Sequence, residues 1–292
     1  MKRRDFLIAG LSLAAAGCAS RAQDTSTKRT AVGVVEDFAF TADFDGSEQR
    51  YAIIRPTGTP RDAIIALHGH GSDRNQFVTA ERDECRAVRD FAMKNNMLLV
   101  SPDYRAPTSW MGPAAEADML QLIEILRREE GIKRIFLCGG SMGGTSALTF
   151  AALHPRRLYG VASMNGTANH VEYTNFQDAI AASFGGTKDT APDEYRKRSA
   201  EFFPEQFTMP VGLTAGGKDT VVPAASIVWL EKALRQRGAK VLLVYREEGD
   251  HATSYEDACA ILEFMYANAR LRGKVGSPKG IGHLQKTRHL PR

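Results

Sequence analysis

From residue 63 onward the chain alternates short apolar runs with longer helix-forming ones, and no other feature limits its fold as strongly. Ala63–Leu67, Met97–Val100, Arg134–Cys138, Tyr159–Met164, Val211–Ala215 and Lys240–Tyr245 read as strands; Glu81–Lys94, Glu116–Arg128, Thr145–Leu153, Ala224–Arg237 and Ser254–Arg270 read as the helices between and after them. Strands joined through helices run parallel, and the crossovers cover both faces of the sheet. Upstream, Val34–Phe40 and Gln49–Arg55 alternate around an Asp45-Gly46 turn and predict an antiparallel edge. The expectation is an α/β domain over residues 34–270, a mostly parallel twisted sheet of about eight strands with helices on both faces. The less regular stretch 167–207 is expected to form a small cap insertion.

The sharpest local signal is Gly139-Gly140-Ser141-Met142-Gly143, placed between the run ending at Cys138 and the helix-forming stretch from Thr145. A serine on so tight a strand-to-helix turn needs very small neighbours two residues before and after it, and glycine supplies them. The following helix brings its unpaired N–H groups and positive dipole end to Ser141, where an oxyanion would form in acyl transfer.

Functional groups on such a sheet gather past the carboxyl ends of its strands. Four polar groups stand there: His68-Gly69-His70-Gly71, Ser141, Gly216-Gly217-Lys218-Asp219 and Gly249-Asp250-His251. The order Ser, Asp, His, with an H-G loop after the third strand, resembles the α/β-hydrolase family over roughly residues 34–268. Pro102-Asp103-Tyr104-Arg105, the compact size and the run Asp219 to Pro223 look most like its esterase and prolyl-oligopeptidase branch, which includes exported bacterial acetyl and feruloyl esterases.

The resemblance implies Ser141 as nucleophile, His251 as general base and then acid, and Asp219 as the group that fixes the imidazole tautomer. It also implies an oxyanion hole made by the backbone N–H groups of Met142 and His70, with Gly69 allowing close approach. No cofactor is implied. Asp250 adjoins His251 and would face away from it, while Asp189, Asp193 and Asp257 read as structural surface acids. His154 reads as a solvated cap before Pro155, His170 lies in the irregular stretch, and His283 and His289 lie in the tail. A metal role for His68 and His70 is not expected, since no carboxylate follows at ligand spacing. Trp110 is expected to line an acyl or sugar subsite, with half-buried packing as the alternative; Trp229, between Val228 and Leu230, reads as core.

The net charge of +4 belongs to the ends: residues 1–30 carry +4 and residues 270–292 carry +7, which leaves −7 for the domain between them. Nucleic-acid binding is therefore not expected. Met1-Lys2-Arg3-Arg4-Asp5-Phe6-Leu7 and the Ala-rich stretch after it read as an export signal over 1–18, and Arg3-Arg4-x-Phe6-Leu7 resembles the twin-arginine type. Ala15-Ala16-Gly17-Cys18 resembles a lipoprotein cleavage site, although Ala15 stands where Leu is usual. It implies lipid on Cys18 and attachment to the membrane; a plain signal peptide is the alternative. Residues 19–33 then read as a polar tether and 271–292 as a basic disordered tail. Cys85, Cys138 and Cys259 read as small buried thiols rather than a disulfide framework.

The combined expectation is an exported serine hydrolase of the periplasm or cell envelope, cleaving small-molecule or polysaccharide esters, acetyl or feruloyl esters of carbohydrates among them. A serine peptidase of prolyl-oligopeptidase type and a non-catalytic surface lipoprotein with a hydrolase shell are the alternatives.

Overall fold

The structure is a computed structural model that describes residues 23–30 and 33–272, with side chains described over 33–269. The export signal with Cys18, and the tail from residue 273, lie outside the described residues. No helix among the described residues is long and apolar enough to cross a membrane.

Nine strands form one sheet: β1 (Gln23–Thr30), β2 (Gly33–Thr41), β3 (Glu48–Ile54), β4 (Asp62–Leu67), β5 (Met97–Pro102), β6 (Arg134–Gly140), β7 (Gly160–Met164), β8 (Val211–Gly216) and β9 (Val241–Arg246). Their order is β1-β2-β3-β5-β4-β6-β7-β8-β9. From β5 to β9 the neighbours run parallel, and β1, β2 and β3 add an antiparallel edge. β1 corrects the reading of residues 19–33 as a tether, because Gln23–Thr30 pairs with β2 and forms the outermost strand.

Strict alternation along the central strands supplies two cores. Ala63, Ile65 and Leu67 of β4 face one core while Ile64 and Ala66 face the other; Ile135 and Leu137 of β6 oppose Phe136 and Cys138 in the same way. Helices α1 (Gln76–Thr79), α2 (Asp83–Lys94) and α8 (Tyr255–Arg272) cover one face, with Val88, Phe91, Ile261 and Met265 in that core. The other face is covered by α3 (Pro113–Glu129), α4 (Met142–Leu153) and α7 (Ala225–Gln236), together with the stretch after β7 that contains α5 (Gln177–Phe184) and α6 (Pro192–Lys197). α8 continues to Arg272, two residues into the segment read as tail.

α4 is buried from Met142 to Ala152, which fits its apolar, unpatterned sequence: it is a central helix with no solvent face. α7 is amphipathic, and its buried stripe is Ile227, Leu230 and Leu234. Trp229 falls off that stripe and is 59% exposed, with Lys232 over its ring, so the reading of Trp229 as core is corrected. Cys85 and Cys138 are buried and unbridged, and Cys259 is half-buried and free. Strand order reverses where β5 and β6 flank β4, and there the loop after β4 and the turn after β6 open side by side at the carboxyl edge.

Candidate active site

Ser141 sits at the turn between β6 and α4 with φ 56 and ψ −122. A left-handed φ at a non-glycine residue costs about 1–3 kcal/mol and persists only where the surroundings impose it. Here the Ser141 N–H donates to Met164 O at 2.8 Å, and Thr145 N–H closes the first helical turn on Ser141 O at 3.0 Å. The flanking glycines are sterically required. A Cβ on Gly143 would lie 1.9 Å from Leu67 O, and one on Gly139 would lie 2.4 Å from the Gly143 carbonyl carbon.

Three groups from three strand ends meet at this turn. His251, after β9, places Nε2 2.8 Å from Ser141 Oγ and Nδ1 2.7 Å from Asp219 Oδ2. Asp219, after β8, has a side chain 1% exposed, and its Oδ1 accepts the N–H groups of Val221 and Val222 at 2.9 and 2.8 Å. The imidazole side chain is 23% exposed, so the linked groups run from a buried carboxylate to a serine that solvent can reach. Such a relay can draw the proton from the hydroxyl while the buried charge stabilises the imidazolium. Asp250 is exposed and offers only its carbonyl, which Asn165 Nδ2 reaches at 3.3 Å.

The loop His68-Gly69-His70-Gly71 lies against the serine: a Cβ on Gly69 would stand 3.8 Å from Ser141 Cβ and 3.6 Å from Gly140 O. Gln76 Oε1 accepts the Gly69 N–H at 2.9 Å, Tyr104 donates its hydroxyl to His68 O at 2.7 Å, and Gly71 N–H donates to Pro107 O at 2.7 Å. Arg74 braces the same loop through ion pairs to Asp37 at 2.8 Å and Asp103 at 3.0 Å. The backbone N–H groups of Met142 and His70 have no acceptor among the described residues; for Met142, the first residue of α4, the helix itself leaves that donor free. His68 is fully buried, its ring nitrogens face the carbonyls of Gly69 and Asp103, and burial pushes its pKa down. No three His, Cys, Asp or Glu residues gather as a metal would require among the described residues.

Beside Ser141 a small open cleft is lined by Gln76, Arg82, Glu84, Asn165, His251 and Thr253. Trp110 is not part of it. The indole is 0% exposed and packs among His70, Tyr173, Phe176 and His170, so the expected subsite wall is instead an interior residue. Other side chains also depart from expectation. His154 bonds Glu116 at 2.8 Å; burial opposes charge on Glu116, but His154 and Arg198 hold its carboxyl at about 2. Asp257 is buried against Arg246 rather than free at the surface.

Sequence reasoning missed Asn165, Tyr173 and Asn175. Asn165 follows β7, so a search past strand ends could have found it; it adopts φ 49 and joins Thr214, Thr253 and the Asp250 carbonyl beneath His251. Tyr173 donates its hydroxyl to Val221 O at 2.9 Å, and Asn175 Nδ2 reaches Thr220 O and Val221 O at 3.1 and 2.9 Å. Burial and the Asp219 charge push the Tyr173 pKa up, so the phenol stays a donor. Nothing local in the sequence marks either residue as a clamp on the acid loop.

The family model described as the prolyl oligopeptidase family matches residues 110–267. A curated relative, the 2-hydroxy-6-oxononadienedioate/2-hydroxy-6-oxononatrienedioate hydrolase of Burkholderia vietnamiensis, is 30% identical over 125 residues. Those residues are 42% of each chain, so this chain spans under half of that relative. Among solved structures, an S-formylglutathione hydrolase from Agrobacterium tumefaciens aligns with a TM-score of 0.66 at 17% identity, covering 84% of this chain and 98% of that one. An acylaminoacyl peptidase from Pyrococcus horikoshii aligns at 0.61 and 17%, covering 82% of this chain and 41% of that one. At these identities the solved structures speak for the fold, which is that of the α/β-hydrolases.

Proposed function

The chain belongs to the prolyl oligopeptidase family, and we propose that it hydrolyses carboxylic esters through a Ser141 acyl-enzyme, acting outside the cytoplasm. The observation that carries the reading is the unbroken Asp219–His251–Ser141 hydrogen-bond chain ending on a serine held at φ 56.

Ser141 Oγ attacks the acyl carbonyl as His251 Nε2 takes its proton, and Asp219 stabilises the imidazolium while holding the ring. The carbonyl oxygen becomes an oxyanion facing the N–H groups of Met142 and His70; each such donor contributes about 10²–10³ in rate. His251 then protonates the departing alkoxide, which leaves an ester on Ser141. Water enters, gives its proton to His251 and attacks that ester; collapse of the second oxyanion returns the proton to Ser141 Oγ.

Two observations favour esters over peptides. The chain aligns with nearly the whole of an S-formylglutathione hydrolase, a protein named for a small S-acyl substrate. The cleft at Ser141 is also small, which suits a compact acyl or alcohol group better than a peptide chain. Acetyl or feruloyl esters of carbohydrates remain the substrates we favour. Cleavage of peptides is the second reading, favoured by the family match itself. A non-catalytic lipoprotein is disfavoured, since a binding shell gains nothing from three aligned catalytic groups.

Export rests on Arg3-Arg4-x-Phe6-Leu7, and attachment to the membrane on a lipid at Cys18. A chromogenic ester series from acetyl to long acyl, run beside an aminoacyl anilide, tests the substrate class. Esters should turn over and the anilide should not; turnover of the anilide alone overturns the ester reading.

A further inference from the structure

We infer that Trp110 is a positioning residue of this hydrolysis: it holds the His70 backbone N–H in place beside Ser141 and ties that donor to the loop carrying Asp219. The inference rests on the serine-hydrolase reading above.

Trp110 Nε1 lies 3.2 Å from His70 Nδ1. An indole N–H can only donate, so Nδ1 must accept and the imidazole proton sits on Nε2. The ring of His70 is also covered by Phe176, with centroids 4.4 Å apart, and Phe176 lies 5.6 Å from the indole. One imidazole is therefore held by a hydrogen bond and a ring packed against it at a tilt. The loop that carries Trp110 holds the backbone on both sides of it, through Tyr104 to His68 O and Pro107 O to Gly71 N–H. With the side chain and both neighbours fixed, the His70 peptide cannot turn its N–H away without breaking several contacts.

The indole reaches the acid by the other side. Its ring lies 5.7 Å from that of Tyr173, whose hydroxyl donates to Val221 O, and the Val221 N–H donates to Asp219 Oδ1 at 2.9 Å. Trp110 thus stands between the two loops whose spacing fixes where an oxyanion and an imidazolium can form.

Backbone conformation gives independent support. Trp110 and Met111 both adopt left-handed φ, 44 and 58, and Arg198 Nη1 donates to Met111 O at 2.6 Å. Consecutive strained residues of this kind persist where the surroundings over-determine them, and they cluster at functional sites. Because the indole is 0% exposed, a substrate does not touch it. Any effect on the rate must pass through its neighbours.

The test is a double-mutant cycle on p-nitrophenyl acetate with Trp110→Phe, His70→Phe and the pair, reading kcat and KM separately beside wild type and Ser141→Ala. Trp110→Phe keeps the ring and deletes the N–H; it should lower kcat about tenfold with KM within twofold. The pair should be no slower than the slower single variant, since both changes remove one interaction. A Trp110→Phe kcat within twofold of wild type, or effects that multiply in the pair, overturns the inference alone. If Trp110→Phe does not fold, His70→Phe carries the test: a tenfold lower kcat at unchanged KM supports the inference, and an unchanged kcat overturns it. Ser141→Ala as fast as wild type overturns the hydrolase reading and this inference with it.

Discussion

Asp219 Oδ2 lies 2.7 Å from His251 Nδ1, and the other oxygen of that carboxylate accepts two backbone N–H groups, from Val221 and Val222. The acid is held at both oxygens and cannot swing away from the imidazole. Asp219→Asn keeps the size but must put its amide N–H₂ against either the two N–H donors or His251. We expect kcat on p-nitrophenyl acetate to fall about 10³–10⁴-fold with the fold retained. Wild-type kcat in that variant would remove Asp219 from the mechanism.

Gly143→Ala should be among the most damaging single-methyl additions to this chain. Its Cβ would meet Leu67 O at 1.9 Å, and both atoms belong to the packed junction of β4 with α4. Backbone must move, and overpacking of this kind costs about 1–3 kcal/mol or more. Thermal unfolding should show a midpoint lowered by several degrees together with lost hydrolase activity. An unchanged midpoint would mean that the elbow is looser than described.

His170 is fully buried, and neither ring nitrogen has a hydrogen-bond partner among the described residues. Burial pushes its pKa down to about 3, with Arg198 and Lys188 adding to the shift. The unfolded chain takes up this proton near pH 6.5 while the folded protein does not, so stability is fully present above about 6.5 and is lost as pH falls toward 3, by up to about 1.4 kcal/mol per unit. Asp118 acts in the opposite sense: burial raises its pKa to about 6, so folding gains from its protonation as pH falls below that value. Comparing wild type with His170→Phe isolates the histidine. The variant should match or exceed wild-type stability at pH 7 and show a shallower loss between pH 6.5 and 4 by denaturant unfolding; equal slopes would contradict this account.

Trp229→Gln should leave stability within about 0.5 kcal/mol of wild type, since the indole is 59% exposed and away from the buried stripe of α7. A loss of several kcal/mol on chemical unfolding would show that the side chain is packed after all.

Much of the site's geometry could be read from the sequence because Ser141, Asp219 and His251 each follow their own strand, beside glycines that the turns need. What escaped was of two kinds. Trp229 has apolar neighbours on both sides in sequence, yet the spacing of Ile227, Leu230 and Leu234 already places the buried stripe elsewhere. Position 23–30 is polar and does not alternate, so its pairing with β2 left no trace in composition. The contacts that brace the two loops are different: Tyr173 and Val221 of the acid loop meet across 48 residues, and Trp110 and His70 across 40, contacts that exist only once the chain has folded. The sequence marked Trp110 as relevant but assigned it to the wrong surface, since its burial depends on a cap with no regular pattern.

The most direct test of the account is rapid acid quenching of p-nitrophenyl acetate turnover, followed by peptide mass mapping of wild type and Ser141→Ala. The account predicts one acetyl group on Ser141 in the wild type, and in Ser141→Ala no adduct and a rate lower by at least about 10³-fold. Turnover by Ser141→Ala at the wild-type rate, or an acetyl group carried on a different residue, would contradict it.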